Sequence, residues 1–401
     1  MHNVRKINED LYYIGCSDRR IQLFESAYAV PEGVSYNSYL LKDEKTVLFD
    51  TVDKNCACQF FKNLENVLSG KNLDYLIVQH MEPDHAALIS EVKRRYQKVQ
   101  IVCTAKAKEM LKQFFDFDVE ESVLVVKEGD TLNIGSRELQ FIQAPMVHWP
   151  EVMLTYDKKD GILFSADAFG SFGAINGNLF DSEVNWQRDY LDEARRYYTN
   201  IVGKYGLQVQ NLLKKASNLD IKMICPLHSL IIKENIKLFV EKYNAWSSYT
   251  PEENGVLIAY TSVYGGTETV AEILAGKLAD KGVKNIKMFD LSYSEQSKVL
   301  AEAFKYSHII LASTTYNCGI FDSMKTFIDT MVSHNLQNRK FVLIGNGSWM
   351  PTCAMNMKVE LEKLKGSEFL NEGLSIKSTL KKEQLADLDN VVITIEKSLR
   401  L

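Results

Sequence analysis

The chain has 401 residues, 46% hydrophobic and 25% charged, with a formal net charge of −5. That length exceeds one ordinary core, so two or three domains are expected. The mildly acidic balance gives no reason to expect nucleic acid or an anionic membrane surface as partner.

The N-terminal text MHNVRKINEDLYYIG is charged throughout and is no secretory leader, and no run of about 18 apolar residues follows. A cytoplasmic protein with no membrane span is expected. Seven scattered cysteines, without a C-x-x-C pair, read as free thiols of a reducing compartment. Cys56-Ala57-Cys58 reads as two faces of a helix start.

LYYIG, YNSYLL, TVLFD and LDYLIVQ read as strands, and ACQFFKNLENVLS as an amphipathic helix among them. Directly after LDYLIVQ come His80, Glu82, Asp84 and His85, and then a helix. Two imidazoles and two carboxylates crowded at the end of a buried strand are costly unless a cation lies among them. The plainer alternative is that Asp84 caps the helix and His85 belongs to its first turn. Two more histidines end strand-like runs, His148 in FIQAPMVHWP and His228 in IKMICPLHSL. Asp167 closes GILFSAD, which KKDG joins to VMLTYD as a hairpin. Together these residues make a set of six or seven ligands, enough for two metals.

WSSYTPEENG turns polar and reads as a linker. Beyond it, VLIAYTS, NIKMFDL, HIILAST, KFVLIGNGS and LSIKST are five strands separated by helical text. In TETVAEILAGKLADKG, Val270, Ile273, Leu274 and Leu278 share one face. This alternation predicts a doubly wound parallel sheet. The expected division is a domain over 1–248 and another over 254–401.

Thr261, Ser262, Val263, Tyr264, Gly265, Gly266 and Thr267 form a hydroxyl- and glycine-rich turn between the first of these strands and its helix. Such a turn aims backbone N–H groups at a phosphate. It is neither G-x-G-x-x-G nor a lysine-bearing P-loop. Two further strand-end loops would clasp a ring: Ser313, Thr314, Thr315, Tyr316 and Asn317, then Gly345, Asn346, Gly347, Ser348 and Trp349. Tyr316, Asn317 and Trp349 are placed to stack on it or hydrogen-bond to it.

The order His-x-Glu-x-Asp-His, then His, a strand-terminal Asp and a last His resembles the metallo-β-lactamase fold. Its zinc hydrolases usually carry His where this chain has Glu82, and a carboxylate there suits iron. Joined to a flavodoxin-like domain, the pattern is similar to that of the flavodiiron proteins (A-type flavoproteins) over nearly the whole chain, the HWPE that begins at His148 included. The resemblance implies an α/β and α+β chain: an N-terminal metallo-β-lactamase-like αββα sandwich, then a flavodoxin-like doubly wound five-stranded parallel sheet. It implies FMN in the loops named above and two irons. One iron would take His80, Glu82 and His148, the other Asp84, His85 and His228, with Asp167 bridging. Asp50, ending TVLFD, would orient ligands, and Trp149 would wall the pocket.

The activity so implied passes electrons from FMN to the di-iron site, which reduces dioxygen to water and/or nitric oxide to nitrous oxide. The expected assembly is a head-to-tail homodimer. With no C-x-x-C pair in the chain, an external donor such as rubredoxin or a reduced deazaflavin is expected. Thr314 stands where the family commonly has Pro, and Gly347 where it has an aromatic residue; both departures bear on the ring contacts. Two other classes stay open. A zinc hydrolase fused to a flavodoxin would be told apart by metal analysis. A plain electron carrier would still pass electrons when metal-free.

Overall fold

Apolar residues of the N-terminal half are shared between two sheets that face each other. The computed structural model describes residues 1–400. The first sheet runs, in spatial order, Arg5–Lys6, Leu11–Tyr13, Tyr39–Lys42, Thr46–Phe49, Tyr75–Ile77, Gln100–Thr104 and Val123–Val126. The second runs Thr131–Asn133, Glu138–Gln143, Met153–Asp157, Ile162–Phe164 and Met223–Cys225. Leu41, Val47, Phe49 and Ile77 from one sheet meet Phe141, Met153, Ile162 and Phe164 from the other in a single core. Phe49 and Phe164 stack across it with ring centroids 3.7 Å apart, a contact worth about 0.5–1.5 kcal/mol beyond its buried area. The helix Ala57–Leu68 buries Phe60, Phe61, Leu64, Val67 and Leu68 outside that inter-sheet core.

In the C-terminal half the parallel order is Ile286–Asp290, Glu253–Tyr260, Tyr306–Tyr316 and Lys340–Asn346. The far edge holds two short pieces, Glu368–Phe369 and Leu374–Ile376. This is the 2-1-3-4-5 order of flavodoxin-like sheets. The fifth strand is split because Asn371 stands in for its backbone: Asn371 Oδ1 accepts from Leu343 N, and its amide donates to Leu343 O, both at 2.9 Å. The helix Gly266–Asp280 buries Val270, Leu274 and Leu278 as expected, with Ile273 at the margin of the face.

Contacts divide the chain into Met1–Tyr198 with Leu207–Asn244, and Thr199–Gly206 with everything from Ala245 onward. The detour of Thr199–Gly206 leaves no mark in the sequence. The expected polar linker is instead a packed segment. Helix Ile236–Ser247 runs into it, and the strand Glu253–Tyr260 begins before its end. Trp246 and Tyr249 are buried, and Trp246 Nε1 donates to Glu252 Oε1 at 2.6 Å. Two aromatic residues in otherwise polar text are enough to fold it down.

The cysteines also depart from expectation. Cys16 and Cys56 form a disulfide with Cα atoms 6.4 Å apart, and the other five are free. The strand Cys16–Asp18 packs against the turn Lys54–Cys56, a contact that no local pattern announces. Among the described residues no helix is long and apolar enough to cross a membrane.

Candidate metal centre and flavin cavity

The donors of the N-terminal unit follow strands that end at the same side of the two sheets. His80, Glu82, Asp84 and His85 come after Tyr75–Ile77, His148 after Glu138–Gln143, Asp167 after Ile162–Phe164, and His228 after Met223–Cys225. The alternative in which Asp84 caps a helix fails. Glu82 occupies the N-cap of the short helix Pro83–Ala86, and both Asp84 oxygens are buried without a hydrogen-bond partner.

Seven side chains converge as two clusters. In the first, His148 Nε2 lies 3.0 Å from Glu82 Oε2 and 3.1 Å from Asp167 Oδ2. His80 Nε2 lies 3.3 Å from each of the same two oxygens. In the second, His85 Nε2 lies 3.3 Å from Asp84 Oδ2, 3.1 Å from His228 Nε2 and 3.2 Å from Asp167 Oδ1. His228 Nε2 is 3.3 Å from Asp84 Oδ2. Donors held about 2.1 Å from one ion stand about 3.0–3.4 Å from each other, which is the spacing found in both clusters. Asp167 turns one oxygen to each, as a bridging carboxylate would. His85 points inward with the rest.

Buried carboxylates among imidazoles leave this centre short of positive charge. Burial opposes a proton on His80, but the Asp167 charge, with hydrogen bonds to Asp167, Glu151 and Glu82, lifts it well above the ordinary imidazole value. Burial likewise opposes charge on His148, and its bonds to Asp167 and Glu82 still carry it up to about 9. For Asp167 burial works upward, yet His85, His80 and His148 hold it well below the usual carboxylate range. Metal ions would take over the place these protons fill.

Outer partners fix two of the rings. His80 donates Nδ1–H to Glu151 Oε1 at 2.8 Å, and Met81 N donates to the same oxygen at 2.8 Å. His228 donates Nδ1–H to Ser35 O at 2.7 Å. Each bond aims Nε2 at its cluster, where its electron pair would bind a metal once the proton it shares with the carboxylates is displaced. Asp50 acts on backbone: it accepts from Gln79 N at 2.8 Å, Gln79 Nε2 at 3.0 Å and His80 N at 3.3 Å. Burial pushes its carboxyl up to about 6. Trp149 stands edge-on to His80, with centroids 5.3 Å apart. Glu151 is expected to matter most among these supports. Glu151→Ala should weaken metal binding about 10–100-fold, read by metal content after dialysis against graded chelator.

In the C-terminal unit a cavity of about 650 Å³ opens at the ends of the parallel strands, a size usual for small-molecule sites. Ser262, Val263, Tyr264, Gly266, Thr267, Thr314, Thr315, Tyr316, Asn317, Asn346, Gly347, Ser348 and Trp349 line it. Gly265, at φ +85, turns the chain into the helix Gly266–Asp280. Three expected residues lie beneath the cavity instead. Thr261 and Ser313 bond to each other at 3.0 Å, and Gly345 packs under Ala354 and Cys353. Cys318, Met350, Ser378 and Thr379 complete the lining and were not anticipated. A Cβ on Gly347 would come within 2.9 Å of Pro351 Cα, so no larger residue fits this loop as it stands.

Ser262 Oγ is buried in the cavity wall with no hydrogen-bond partner, as a hydroxyl reserved for a phosphate would be. Ser262→Ala should weaken binding of a phosphate-bearing ligand by about 1.5–3 kcal/mol, the usual worth of a hydrogen bond to a charged group. Titrating apoprotein with FMN and following flavin fluorescence measures it.

Two facing sheets with a paired donor set at their strand ends, and a flavodoxin-like sheet with a ring-sized cavity, define a two-domain protein fit for a pair of metal ions and a planar ligand. Residues 34–229 match the family described as ODP family beta lactamase. An uncharacterised protein of Methanocaldococcus jannaschii is 33% identical over 383 residues, 95% of each chain. The anaerobic nitric oxide reductase flavorubredoxin of Vibrio vulnificus is 30% identical over 348 residues, covering 86% of this chain and 70% of that one. The structure of rubredoxin oxygen:oxidoreductase from Desulfovibrio gigas aligns over 99% of both chains with a TM-score of 0.92 and 27% identity. The chain belongs to the flavodiiron protein family. Membership implies a flavin and iron as cofactors.

Proposed function

We propose that the protein takes electrons from a rubredoxin-type or deazaflavin donor onto FMN and delivers them to a di-iron centre that reduces dioxygen, nitric oxide or both. The observation that carries this reading is the two donor clusters sharing Asp167 through separate oxygens. His80, Glu82, His148 and Asp167 would hold one iron, and Asp84, His85, His228 and Asp167 the other. Bound there, the irons would supply electrons and two adjacent coordination positions for the atoms of the gas. The residues do the rest. Asp167 sets the separation of the two positions. Glu151 and Ser35 O keep His80 and His228 in the tautomer that ligates. Trp149 walls the pocket beside His80.

Glu82 favours iron over the zinc of the hydrolase alternative, since an anionic oxygen replaces an imidazole. In the flavin cavity the turn Ser262–Thr267 would take the phosphate, and Tyr316, Asn317 and Trp349 the ring. Dimerisation is part of the proposal, and so are the individual ligand roles. Purified protein is expected to be yellow, with about one FMN and two irons per chain, as the paired donor clusters require. After anaerobic reduction, parallel consumption assays for dioxygen and nitric oxide should show turnover of at least one gas. Stoichiometric zinc without flavin absorbance would overturn the reading.

A further inference from the structure

The Cys16–Cys56 disulfide joins two segments that each support a histidine of the second donor cluster. Cys16 begins the strand Cys16–Asp18, which pairs antiparallel with Val34–Tyr36. That neighbour carries Ser35, whose carbonyl accepts from His228 Nδ1, and Tyr36, whose ring packs on the His228 imidazole with centroids 5.8 Å apart. Cys56 ends the turn Lys54–Cys56, shortly after Thr51. Thr51 donates to His85 O twice, from N at 2.8 Å and from Oγ1 at 2.6 Å.

The same disulfide lies in the wall of an open cavity of about 680 Å³, together with Cys58, Arg5, Arg19 and Arg20. The three arginines are exposed. Arg5 and Arg19 donate to the carbonyls of Gly177 and Ile175, and Arg19 does so at 2.7 Å. Asp18 is the one acidic residue of the lining, and its Oδ1 is occupied by the backbone N–H groups of Arg20 and Ile21. The disulfide, although both its cysteines are mostly buried, therefore shares a wall with a cationic cavity roomy enough for a tripeptide-sized molecule.

We propose that Cys16–Cys56 is an exchange site for small anionic thiols, and that opening it loosens the His85–His228 side of the metal centre. The second clause rests on the metal reading given above; the first does not. Cys56 holds the N-cap of the helix Ala57–Leu68, where the positive end of the helix favours a thiolate. Cys56 is therefore the better leaving group. The incoming thiolate attacks Cys16 Sγ and forms a mixed disulfide with it. The Cys16–Cys56 bond breaks, and its electron pair leaves on Cys56 Sγ. A second thiolate attacks the small molecule's sulfur in that mixed disulfide, releases Cys16 as thiolate and yields the oxidised dimer of the reductant. Two electrons pass from two thiols to the protein, and the protons those thiols gave up end on Cys16 and Cys56 to the extent that they reprotonate.

The test uses the purified full-length protein with its cofactors, under anaerobic conditions. It is exposed to glutathione, whose thiolate is a dianion, or cysteamine, whose thiolate is a net-neutral zwitterion, at equal thiolate concentration. Acid quenching, alkylation and peptide mass spectrometry follow the adducts. The glutathione adduct should appear first on Cys16, and the pair should open about tenfold faster than with cysteamine. Arg19→Glu with Arg20→Glu should abolish that preference. A pair that stays closed, an adduct confined to Cys58, or equal rates for the two thiols would overturn the exchange site.

A second arm follows metal release to a chelator before opening, after opening and after reoxidation. About half the bound metal should leave on the order of tenfold faster once the pair is open, and reoxidation should restore the slow rate. Cys16→Ser should behave as the opened protein. Chemical opening of the wild type gives the same comparison if that variant fails to fold. Unchanged release overturns the coupling. Protein that takes up no metal overturns the metal reading and the coupling with it, while the exchange arm still decides the site.

Discussion

Glu82→Ala is expected to abolish gas reduction while FMN stays bound and reducible. Glu82 is the one anionic donor that belongs to the first cluster alone, since Asp167 is shared. Its Oε2 stands 3.0 Å from His148 Nε2 and 3.3 Å from His80 Nε2. Removing it leaves two neutral imidazoles and half of a carboxylate to neutralise a cation, because the neighbouring Glu25 carboxyl is pushed up to about 8, chiefly by burial, and stays protonated. Loss of a supporting outer contact already costs about 10–100-fold in affinity, so loss of a direct ligand should cost at least as much. Iron should fall toward one per chain, and turnover should fall by about a hundredfold or more. The flavin cavity lies in the other unit and contains no residue of this cluster. Flavin absorbance and its bleaching by dithionite should therefore be unchanged. Normal iron with near-normal turnover would mean that Glu82 is no ligand.

The residues most legible in the sequence were those whose position follows from a strand. His80 to His85, Asp167 and His228 each come directly after an apolar run, and a polar group at that point needs a reason. The structure brings all of them together. Glu151 was in plain view in HWPE, but its use depends on His80, 71 positions earlier, and no periodicity reports such a pairing. Asp50 was expected to orient ligands; it does so by holding the backbone of Gln79 and His80, not an imidazole. The Cys16–Cys56 pair escapes local pattern for the same reason as the Glu151 contact, because it is formed by tertiary packing over 40 residues. In the flavin half, Ser378 and Thr379 looked like the end of a strand. The strand stops at Ile376, and the chain then turns over the Ser262–Thr267 turn so closely that a Cβ on Gly266 would meet Ser378 O at 2.5 Å. Local pattern located the strands and their ends. It could not say which distant segments close over them.

Mixing two inactive variants should restore part of the activity if the working unit is a head-to-tail dimer. One variant lacks the metal donor His148; the other has the Thr261–Thr267 turn disrupted and cannot hold FMN. Tyr264 is 98% and Trp349 88% exposed at the mouth of the flavin cavity. Large aromatic side chains left in water beside a cofactor site are what an interface would cover. In a closed two-fold dimer the flavin of one subunit faces the irons of the other. A mixed dimer then pairs one intact flavin with one intact iron site, and its second pair is doubly broken. Random exchange makes half the dimers mixed, and each has one working pair of two, so recovery should approach about a quarter of the wild-type rate. Neither variant alone, nor a mixture prevented from exchanging, should show turnover. If tagged subunits prove that mixed dimers form and the mixture still consumes no gas, electrons travel within one chain. In that case the exposed aromatic residues at the flavin serve the external donor instead.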